Sequence, residues 1–201
     1  MNFASRFKLA AFLASALMLN GIIASSELRA ALASRVEVDE ELRAVLQEAV
    51  DDPASFSDRF EAEVWLLDMS GRLSRKMPQA ADRIYFLRLL HFEATRARLP
   101  AEVVLALVDV ESNFNRWAIS EVGAQGYMQV MPFWLTEVGR PTDNLFRPEI
   151  NLRMGCAILR YYLDKERGNL LKALARYNGS IGRRTYTDKV FKALRARWYR
   201  R

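Results

Sequence analysis

A chain of 201 residues with 51% hydrophobic content is long enough for one ordinary globular core and a smaller helical appendage, and its composition excludes a disordered protein. The single cysteine, Cys156, excludes an intramolecular disulfide and a cysteine-based zinc cluster, and the single histidine, His91, has no visible set of carboxylate partners for a metal site. We expect both residues to be packing residues. The formal net charge of +6 leaves an anionic partner open.

The first 33 residues have the layout of an export signal. Two basic residues precede an apolar run over residues 9–19, and small residues follow up to candidate cleavage points after Ser26 and Ala33. The apolar run is short for a membrane-spanning helix, which needs about 20 apolar residues. We therefore predict a signal peptide over residues 1–33, with an uncleaved membrane anchor as the alternative.

Residues 34–83 have the hydrophobic pattern of a short N-terminal helical segment. The spacing of apolar residues predicts one helix over 40–50 and a second over 58–69. Both are expected to be packing elements rather than parts of a site. In the second helix we expect one side to pack, the side that carries Phe60, Val64 and Leu67.

The remaining residues, 84–201, contain most of the predicted helices. Hydrophobic periodicity predicts helices over 79–98, 100–113, 148–167 and 170–177, and a further helix that starts near Thr187. The segment 120–132 holds two glycines and a run too short for a helix, which favours a loop with a small β-hairpin. The predicted fold class is therefore mainly α (α+β). No alternation of strands and helices supports a parallel sheet.

One acid of the 100–113 helix lies on the apolar face. A rotation of about 100° per residue places Glu102 and Asp109 on a polar side and Glu111 on the opposite side. Removal from water and the negative end of the helix dipole both raise the pKa of such a carboxyl, which is what a general acid needs near neutral pH. A glutamate that turns out to solvent is the alternative, and this geometry alone does not decide between the two.

The C-terminal tail, residues 183–201, is strongly basic, with Asp188 as its one acid. Such a tail suits an anionic polymer or surface. Apolar residues nevertheless recur through it at helical spacing, so we expect them to dock the tail on the core: Val190, Phe191, Leu194 and Trp198.

Four short motifs occur in order along the chain. They are Glu111-Ser112-Asn113-Phe114-Asn115, Gly123-Ala124-Gln125-Gly126-Tyr127-Met128-Gln129-Val130-Met131-Pro132, Asn151-Leu152-Arg153-Met154-Gly155 and Arg176-Tyr177-Asn178. They resemble the glutamate–serine, Gly-Leu-Met-Gln, Asn-Ile-x-x-Gly and Ala-Tyr-Asn motifs of the soluble lytic transglycosylases. The resemblance covers roughly residues 84–199 and does not extend to residues 34–83.

The resemblance implies a goose-lysozyme-like catalytic domain over residues 84–201, with the hairpin lining its cleft. Such enzymes cut the β-1,4 bond between N-acetylmuramic acid and N-acetylglucosamine in peptidoglycan. By resemblance Glu111 would be the catalytic acid and then base, and Ser120 and Tyr177 would hydrogen-bond near it or near the reacting sugar. The implied substrate-binding residues are Ser112, Gly126, Tyr127, Met128, Gln129 and Asn178, with Gly126 letting the backbone approach the glycan.

No metal or cofactor is implied, because the family's nucleophile is the substrate's own C6 hydroxyl, which closes a 1,6-anhydro ring. One alternative is a water-using muramidase that takes Asp143, Glu121 or Glu149 as a second carboxylate. Another is a non-catalytic glycan-binding protein or an assembly factor for an envelope machine. Met128 and Tyr177, each taken alone, fit simple packing.

The resemblance and the export signal together predict a periplasmic or otherwise exported protein. Its expected partners are peptidoglycan strands and possibly envelope or secretion-system proteins, not nucleic acid. The sequence departs from the family motifs at Arg116, where proline is common, at Tyr127, where leucine is usual, and at Arg176, where alanine is usual. We expect Trp117 and Trp134 to be core residues, with sugar stacking as the alternative.

Overall fold

Seven α-helices and one π-helical turn make up the described part of the chain, which in the computed structural model comprises residues 56, 58–138 and 142–199. The predicted mainly α fold is confirmed. The signal peptide predicted for residues 1–33 and the helix predicted for 40–50 lie outside the described residues. The helices are α1 (Arg59–Leu73), α2 (Ala80–Arg96), α3 (Ala101–Glu111), α4 (Phe133–Val138), α5 (Pro148–Lys165), α6 (Leu170–Tyr177) and α7 (Thr185–Ala193), and α7 runs into the π-helical turn Leu194–Trp198.

Local sequence signals explain where several helices begin. The Asp58 carboxylate accepts the Glu61 backbone N–H at 2.8 Å and caps α1. Asn169 caps α6 in the same way by accepting the Lys172 backbone N–H at 3.1 Å. Pro148 occupies the first turn of α5, where its missing N–H costs nothing. These ends agree closely with the boundaries that the sequence predicts. The division of the chain at residue 84, which falls within α2, stays a prediction.

The segment predicted as a β-hairpin is a tight loop instead. Two isolated antiparallel bridges, Ile119–Gln125 and Gln125–Val130, are the only β-pairing in the described ranges, and neither extends into a strand. Gly126, with a φ of +76°, and Gln129, with a φ of +50°, lie between the bridged residues Gln125 and Val130, so the left-handed positions form the turn that joins them.

Helix α3 is buried almost all round. Each of its residues from 103 to 109 is at most 7% exposed. Helix α2 packs on one side of it, and α7 with the π-helical turn packs on another. The expected docking of the tail is confirmed, because Val190 and Trp198 are buried and Phe191 and Leu194 are half-buried.

Asp109 lies on the polar side of this helix that the helical wheel indicates, but that side is covered by other parts of the chain. Its carboxylate is buried and accepts from Lys76 Nζ at 2.6 Å, Arg197 Nε at 2.6 Å and Trp198 Nε1 at 2.9 Å. Burial by itself raises the pKa of Asp109, but the three donors outweigh burial and hold the pKa below its ordinary value. The C-terminal tail packs over the polar side of α3 and removes it from solvent.

The packing side of α1 was also wrongly predicted. Phe60, Val64 and Leu67 are 75%, 37% and 45% exposed. The buried side follows a longer apolar series at spacings of three and four residues, and its Trp65 Nε1 donates to the Glu102 carboxylate at 3.0 Å. That series consists of Ala62, Trp65, Leu66, Met69 and Leu73.

His91 and Cys156 are packing residues, as predicted. The His91 ring stacks on Phe56 with centroids 3.7 Å apart and meets the edge of Trp65, and burial lowers its pKa. Cys156 is fully buried, which raises the pKa of its thiol. In the described ranges, no three His, Cys, Asp or Glu side chains form a set that could hold a metal ion. No described helix is long and apolar enough to cross a membrane.

Replacing the buried acid should destabilise the fold at neutral pH. We expect Asp109→Asn to lower the free energy of unfolding at pH 7 by about 1–3 kcal/mol, because three donors lose a charged acceptor. Since the folded pKa of Asp109 is depressed, its contribution is present above the unfolded pKa and is lost as pH falls through the folded pKa. Urea unfolding at pH 7 and at about pH 3 should therefore show the difference shrinking in acid.

The matched control is Asp164→Asn, which removes an exposed carboxylate paired with Arg160 one turn away. An exposed pair of this kind contributes less than about 0.5 kcal/mol. Equal effects of the two substitutions would contradict the role given to Asp109.

Candidate active site

Glu111 is the last residue of α3, and its carboxyl is largely withdrawn from water. Burial raises the pKa of Glu111 from its ordinary value of 4.5 to about 7, and a hydrogen bond from Tyr186 opposes part of that rise. The direction agrees with the one expected from the apolar helix face. The carboxyl therefore keeps its proton to a higher pH than an ordinary glutamate does.

Tyr186 is the functional residue that sequence reasoning missed. It lies in the first turn of α7, and its hydroxyl donates to Glu111 Oε1. Burial raises the pKa of this phenol far above its ordinary value, and the nearby Glu111 raises it further, so Tyr186 remains a proton donor in a hydrogen bond. The available signal was the stripe that docks the tail: Tyr186 precedes Val190 by one helical turn and shares its inward face.

Tyr177, the last residue of α6, lies in the same cluster but bonds elsewhere. Its hydroxyl donates to the Met128 carbonyl at 2.7 Å. Burial raises the pKa of Tyr177, and the Glu111 charge raises it further, so the two residues are close neighbours. Three helices thus bring one carboxyl and two phenols together, from Glu111, Tyr177 and Tyr186.

The polar side chains predicted to act beside Glu111 form hydrogen bonds within the chain. Ser120 Oγ accepts the Ala124 backbone N–H at 3.0 Å. Gln129 Nε2 donates to the Ala118 and Gly126 carbonyls at 3.1 and 3.0 Å. Ser112 is buried and its hydroxyl donates to the carbonyl one turn earlier in α3. These bonds hold the loop and the helix end, and the proposed contacts of Ser112, Ser120 and Gln129 with substrate stay predictions.

The close approach expected at Gly126 is internal. A Cβ at this position would lie 2.3 Å from Asn151 Nδ2 and 2.4 Å from the Leu145 carbonyl oxygen. Met128 is fully buried, and a Cβ on Gly155 of α5 would meet its Sδ at 2.4 Å. The structure therefore explains both glycines by packing of the loop on α5 rather than by room for a glycan.

Asn151 joins these pieces and was given no role by the sequence analysis beyond its motif. It is 1% exposed, and its Oδ1 accepts the Met128 backbone N–H at 2.8 Å. Its Nδ2 donates to the Gln125 and Leu145 carbonyls at 2.8 and 2.9 Å. A buried amide with all of these partners fixes the loop backbone against α5.

The two other residues predicted to bind substrate lie at the edges of this arrangement. Tyr127 is buried, with its ring 4.7 Å from that of Phe86. Asn178 is exposed and ends α6. Trp117, expected in the core, is 61% exposed, so that expectation is wrong; Arg116 lies over its ring at 4.3 Å. Trp134 is half-buried.

Backbone strain is concentrated where the chain leaves Glu111. Asn113 and Phe114 have φ values of +51° and +64°, although neither is a glycine. Left-handed residues of this kind cost free energy and persist when the surrounding packing requires them. Here the Phe114 ring packs between Phe86 and Trp198, which fixes the turn.

Burial and the Tyr186 hydrogen bond are the causes that set the pKa of Glu111. None of the three acids considered as a second carboxylate is among these causes. Glu149 accepts the Tyr85 hydroxyl and lies 3.6 Å from Arg147. Glu121 is exposed and Asp143 is half-buried.

Two solved structures resemble the described fold. A lytic transglycosylase Slt from Pseudomonas aeruginosa, solved as an inactive mutant, gives a TM-score of 0.44 and 22% identity, over 76% of this chain and 33% of that chain. The 70 kDa soluble lytic transglycosylase of Escherichia coli gives a TM-score of 0.38 and 19% identity, over 84% of this chain and 40% of that chain.

Curated relatives are similar to about half of the sequence. A transglycosylase of Enterobacteria phage PRD1 is 34% identical over 101 residues, which cover 47% of this chain and 37% of the relative. The membrane-bound lytic murein transglycosylase C of Yersinia pestis (strain Pestoides F) is 32% identical over 113 residues, which cover 48% of this chain and 32% of the relative. The chain spans about a third of the length of these relatives.

The family comparison covers the whole candidate site. The model of the transglycosylase SLT domain matches residues 88–197, more than half of the chain, and this range includes Glu111, Tyr177 and Tyr186. The chain therefore belongs to the transglycosylase SLT domain family.

Proposed function

We propose that this protein is an exported peptidoglycan lytic transglycosylase. It cleaves the β-1,4 bond between N-acetylmuramic acid and N-acetylglucosamine and leaves a 1,6-anhydromuramic acid end. The observation that carries the proposal is Glu111, a buried carboxyl whose pKa is raised to about 7 beside two phenols. Membership of the SLT family and the murein transglycosylase among its relatives support the choice of substrate.

In the first step Glu111 acts as a general acid. Tyr186 donates to Oε1, which leaves Oε2 to carry the acid proton. Transfer of this proton to the glycosidic oxygen breaks the bond from that oxygen to C1 of the muramic acid. The carboxylate that remains is buried, and the Tyr186 hydrogen bond stabilises its charge.

In the second step the same carboxylate acts as a base. It takes the proton from the C6 hydroxyl of the muramic acid while the C6 oxygen forms a bond to C1. The 1,6-anhydro ring closes, and the C6 proton restores the acid form of Glu111, while the proton given in the first step stays on the hydroxyl of the leaving sugar. Because the nucleophile is tethered to the reacting carbon, proximity replaces the second carboxylate that glycosidases use.

The loop hydrogen bonds would support this chemistry by holding the cleft wall rigid. Tyr177 ties α6 to the Met128 carbonyl, and Gln129 and Ser120 close the loop from within. We infer that Tyr177 acts chiefly through the backbone position of Met128, with Asn178 exposed beside it for contact with the glycan. Association with envelope or secretion-system proteins remains a prediction from the resemblance.

The reaction products distinguish a transglycosylase from a hydrolase. After incubation of the purified protein with peptidoglycan sacculi, mass spectrometry should find muropeptides that end in an anhydro sugar, lighter by one water than hydrolysed ones and without a reducible end. Glu111→Gln should release none, because an amide keeps the shape but delivers no proton. Asp143→Asn, Glu121→Gln and Glu149→Gln should keep the anhydro products. Reducing-end products, or loss of activity in one of these three folded variants, would mean attack by water.

The pH dependence of the rate tests Tyr186 as a positioning residue for Glu111. The value of kcat/KM should fall above about pH 7, where the free enzyme loses the acid proton. Tyr186→Phe removes the donor that lowers the pKa of Glu111, so the falling limb should move to higher pH. Tyr177→Phe is the matched control: it should lower kcat and leave the limb in place, because that hydroxyl bonds to Met128. An unmoved limb in Tyr186→Phe would remove Tyr186 from the site.

A buried acid kept for catalysis should reduce the stability of the fold. The folded pKa of Glu111 is raised, so its contribution to stability is fully present below about pH 4.5 and is lost as pH rises through about 7. Glu111→Gln does not titrate and should be more stable than the wild type at pH 8, by at most about 3 kcal/mol, with the difference vanishing near pH 4. Urea unfolding at both pH values measures this, with exposed Glu121→Gln as the control. A difference that does not change with pH would contradict the burial of the Glu111 charge.

A further inference from the structure

A cavity of about 220 Å³ lies outside the Glu111 cluster. It opens where the first turns of α2 and α5 meet the loop that follows α3, and Phe86, Tyr127 and Pro148 form its walls. Tyr85, which is half exposed, also lines the cavity and holds Glu149 through its hydroxyl. None of the residues that line the cavity belongs to the Glu111, Tyr177 and Tyr186 cluster.

Arg116 brings a positive charge to this cavity. Its guanidinium carbon lies 4.3 Å from the centre of the Trp117 ring, which fixes the side chain. Its Nε is buried and has no hydrogen-bond partner. Because this Nε is closed off from the cavity, the surface that Arg116 presents there belongs to other atoms of the side chain. A ligand carboxylate could pair with the terminal nitrogens of the guanidinium.

The charges around the cavity restrict what the ligand can be. Burial raises the pKa of Tyr127, the Arg116 charge then lowers it and the Asp82 charge raises it, so both charges lie near this phenol. Asp82 also lines the cavity and would repel a phosphate or a polymer rich in anionic groups. A single carboxylate, with an ammonium or amide group beside it for Asp82, fits both residues.

We propose that this cavity binds a free carboxylate of the peptide stem attached to the glycan strand, with Arg116 as its cation. This inference rests on the proposed function, because that function is what identifies the glycan strand as peptidoglycan. A guanidinium matches a carboxylate as a planar fork, whereas a neutral sugar brings no charge to it. The volume is below the roughly 300–1,000 Å³ of sites that enclose a whole small molecule, and it suits one amino-acid unit.

The sequence gives this site a separate line of support. Arg116 and Tyr127 stand at two of the positions where the chain departs from the family motifs, eleven residues apart along the chain. The fold brings both departures to one cavity. Recognition at this cavity is separate from the acid chemistry at Glu111, because the lining contains none of the residues of the Glu111 cluster.

Calorimetric titration of two ligands tests the proposal in the Glu111→Gln background, which does not turn over. The first ligand is the N-acetylglucosamine–N-acetylmuramic acid disaccharide with its tetrapeptide, and the second is the same molecule with every peptide carboxylate amidated. Amidation should weaken binding about tenfold or more, the factor expected for one charge-assisted pair. The double variant with Glu111→Gln and Arg116→Gln should bind both ligands with the same, weaker affinity. The control double variant, with Glu111→Gln and the exposed Arg195→Gln, should still bind the free carboxylate ligand more tightly than the amidated one. Equal binding of the two ligands before Arg116 is changed, or a difference that survives Arg116→Gln, overturns the proposal.

Cleavage assays separate this inference from the proposed function. Arg116→Gln in the otherwise wild-type chain should cleave intact sacculi more slowly and should cleave glycan strands stripped of peptides at the wild-type rate. Equal slowing on both substrates would place Arg116 in the glycan cleft and overturn peptide recognition. If the wild-type protein cleaves neither substrate, the proposed function fails, while the comparison of free and amidated ligands still decides what the cavity binds.

Discussion

The return of the C-terminal helix and turn onto α3 is the interaction on which both the core and the candidate site depend. From this tail Arg197 and Trp198 reach Asp109, and Tyr186 reaches Glu111. The two acids are two residues apart on one helix, yet their pKa values move in opposite directions. Asp109 meets three donors that outweigh its burial, whereas Glu111 meets one neutral phenol that does not. The same packing therefore provides an ion-paired acid that stabilises the fold and a proton-holding acid suited to catalysis.

The loop between α3 and α4 carries the second family motif and is held in place by hydrogen bonds. Its bonds are internal: Asn151 holds Met128 and Gln125, and Gln129 closes the turn at Gly126. Tyr177 then attaches α6 to the same backbone. A motif recognised for its function is here occupied largely by groups that satisfy one another, which is how a site on a loop reaches the precision that chemistry requires.

The environment of a residue could be predicted from the sequence where a local pattern determines it, and could not be predicted where a residue distant in the sequence determines it. Helix positions and the docking of the tail followed from periodicity and capping, which are local. Periodicity also placed Glu111 on the apolar face of its helix, but it did not decide between a buried carboxyl and one that turns out to solvent. The burial of Asp109 could not follow, because the donors that make it possible lie far away in sequence, at Lys76 and Arg197. The partner of Glu111 was missed for the same reason, since Tyr186 is 75 residues away. Trp117 was expected in the core, but it lies on the loop that follows α3 and is exposed, with its ring under Arg116 instead of in the core.

The strained turn after α3 explains how one short stretch of chain can serve two separate spaces. Glu111 and Arg116 are only five residues apart, and a continued helix would place them about 140° apart around its axis, roughly 7.5 Å apart along it. The left-handed residues Asn113 and Phe114 end the helix abruptly and redirect the chain, so that Glu111 meets α7 while Arg116 lines the cavity by α2 and α5. The free energy stored in that turn is offset by the packing of Phe114 between aromatic rings of α2 and the tail. Because the turn is held from both sides, the ligand proposed for the cavity and the sugar proposed for the acid would contact opposite ends of one fixed segment, which would set the distance between them.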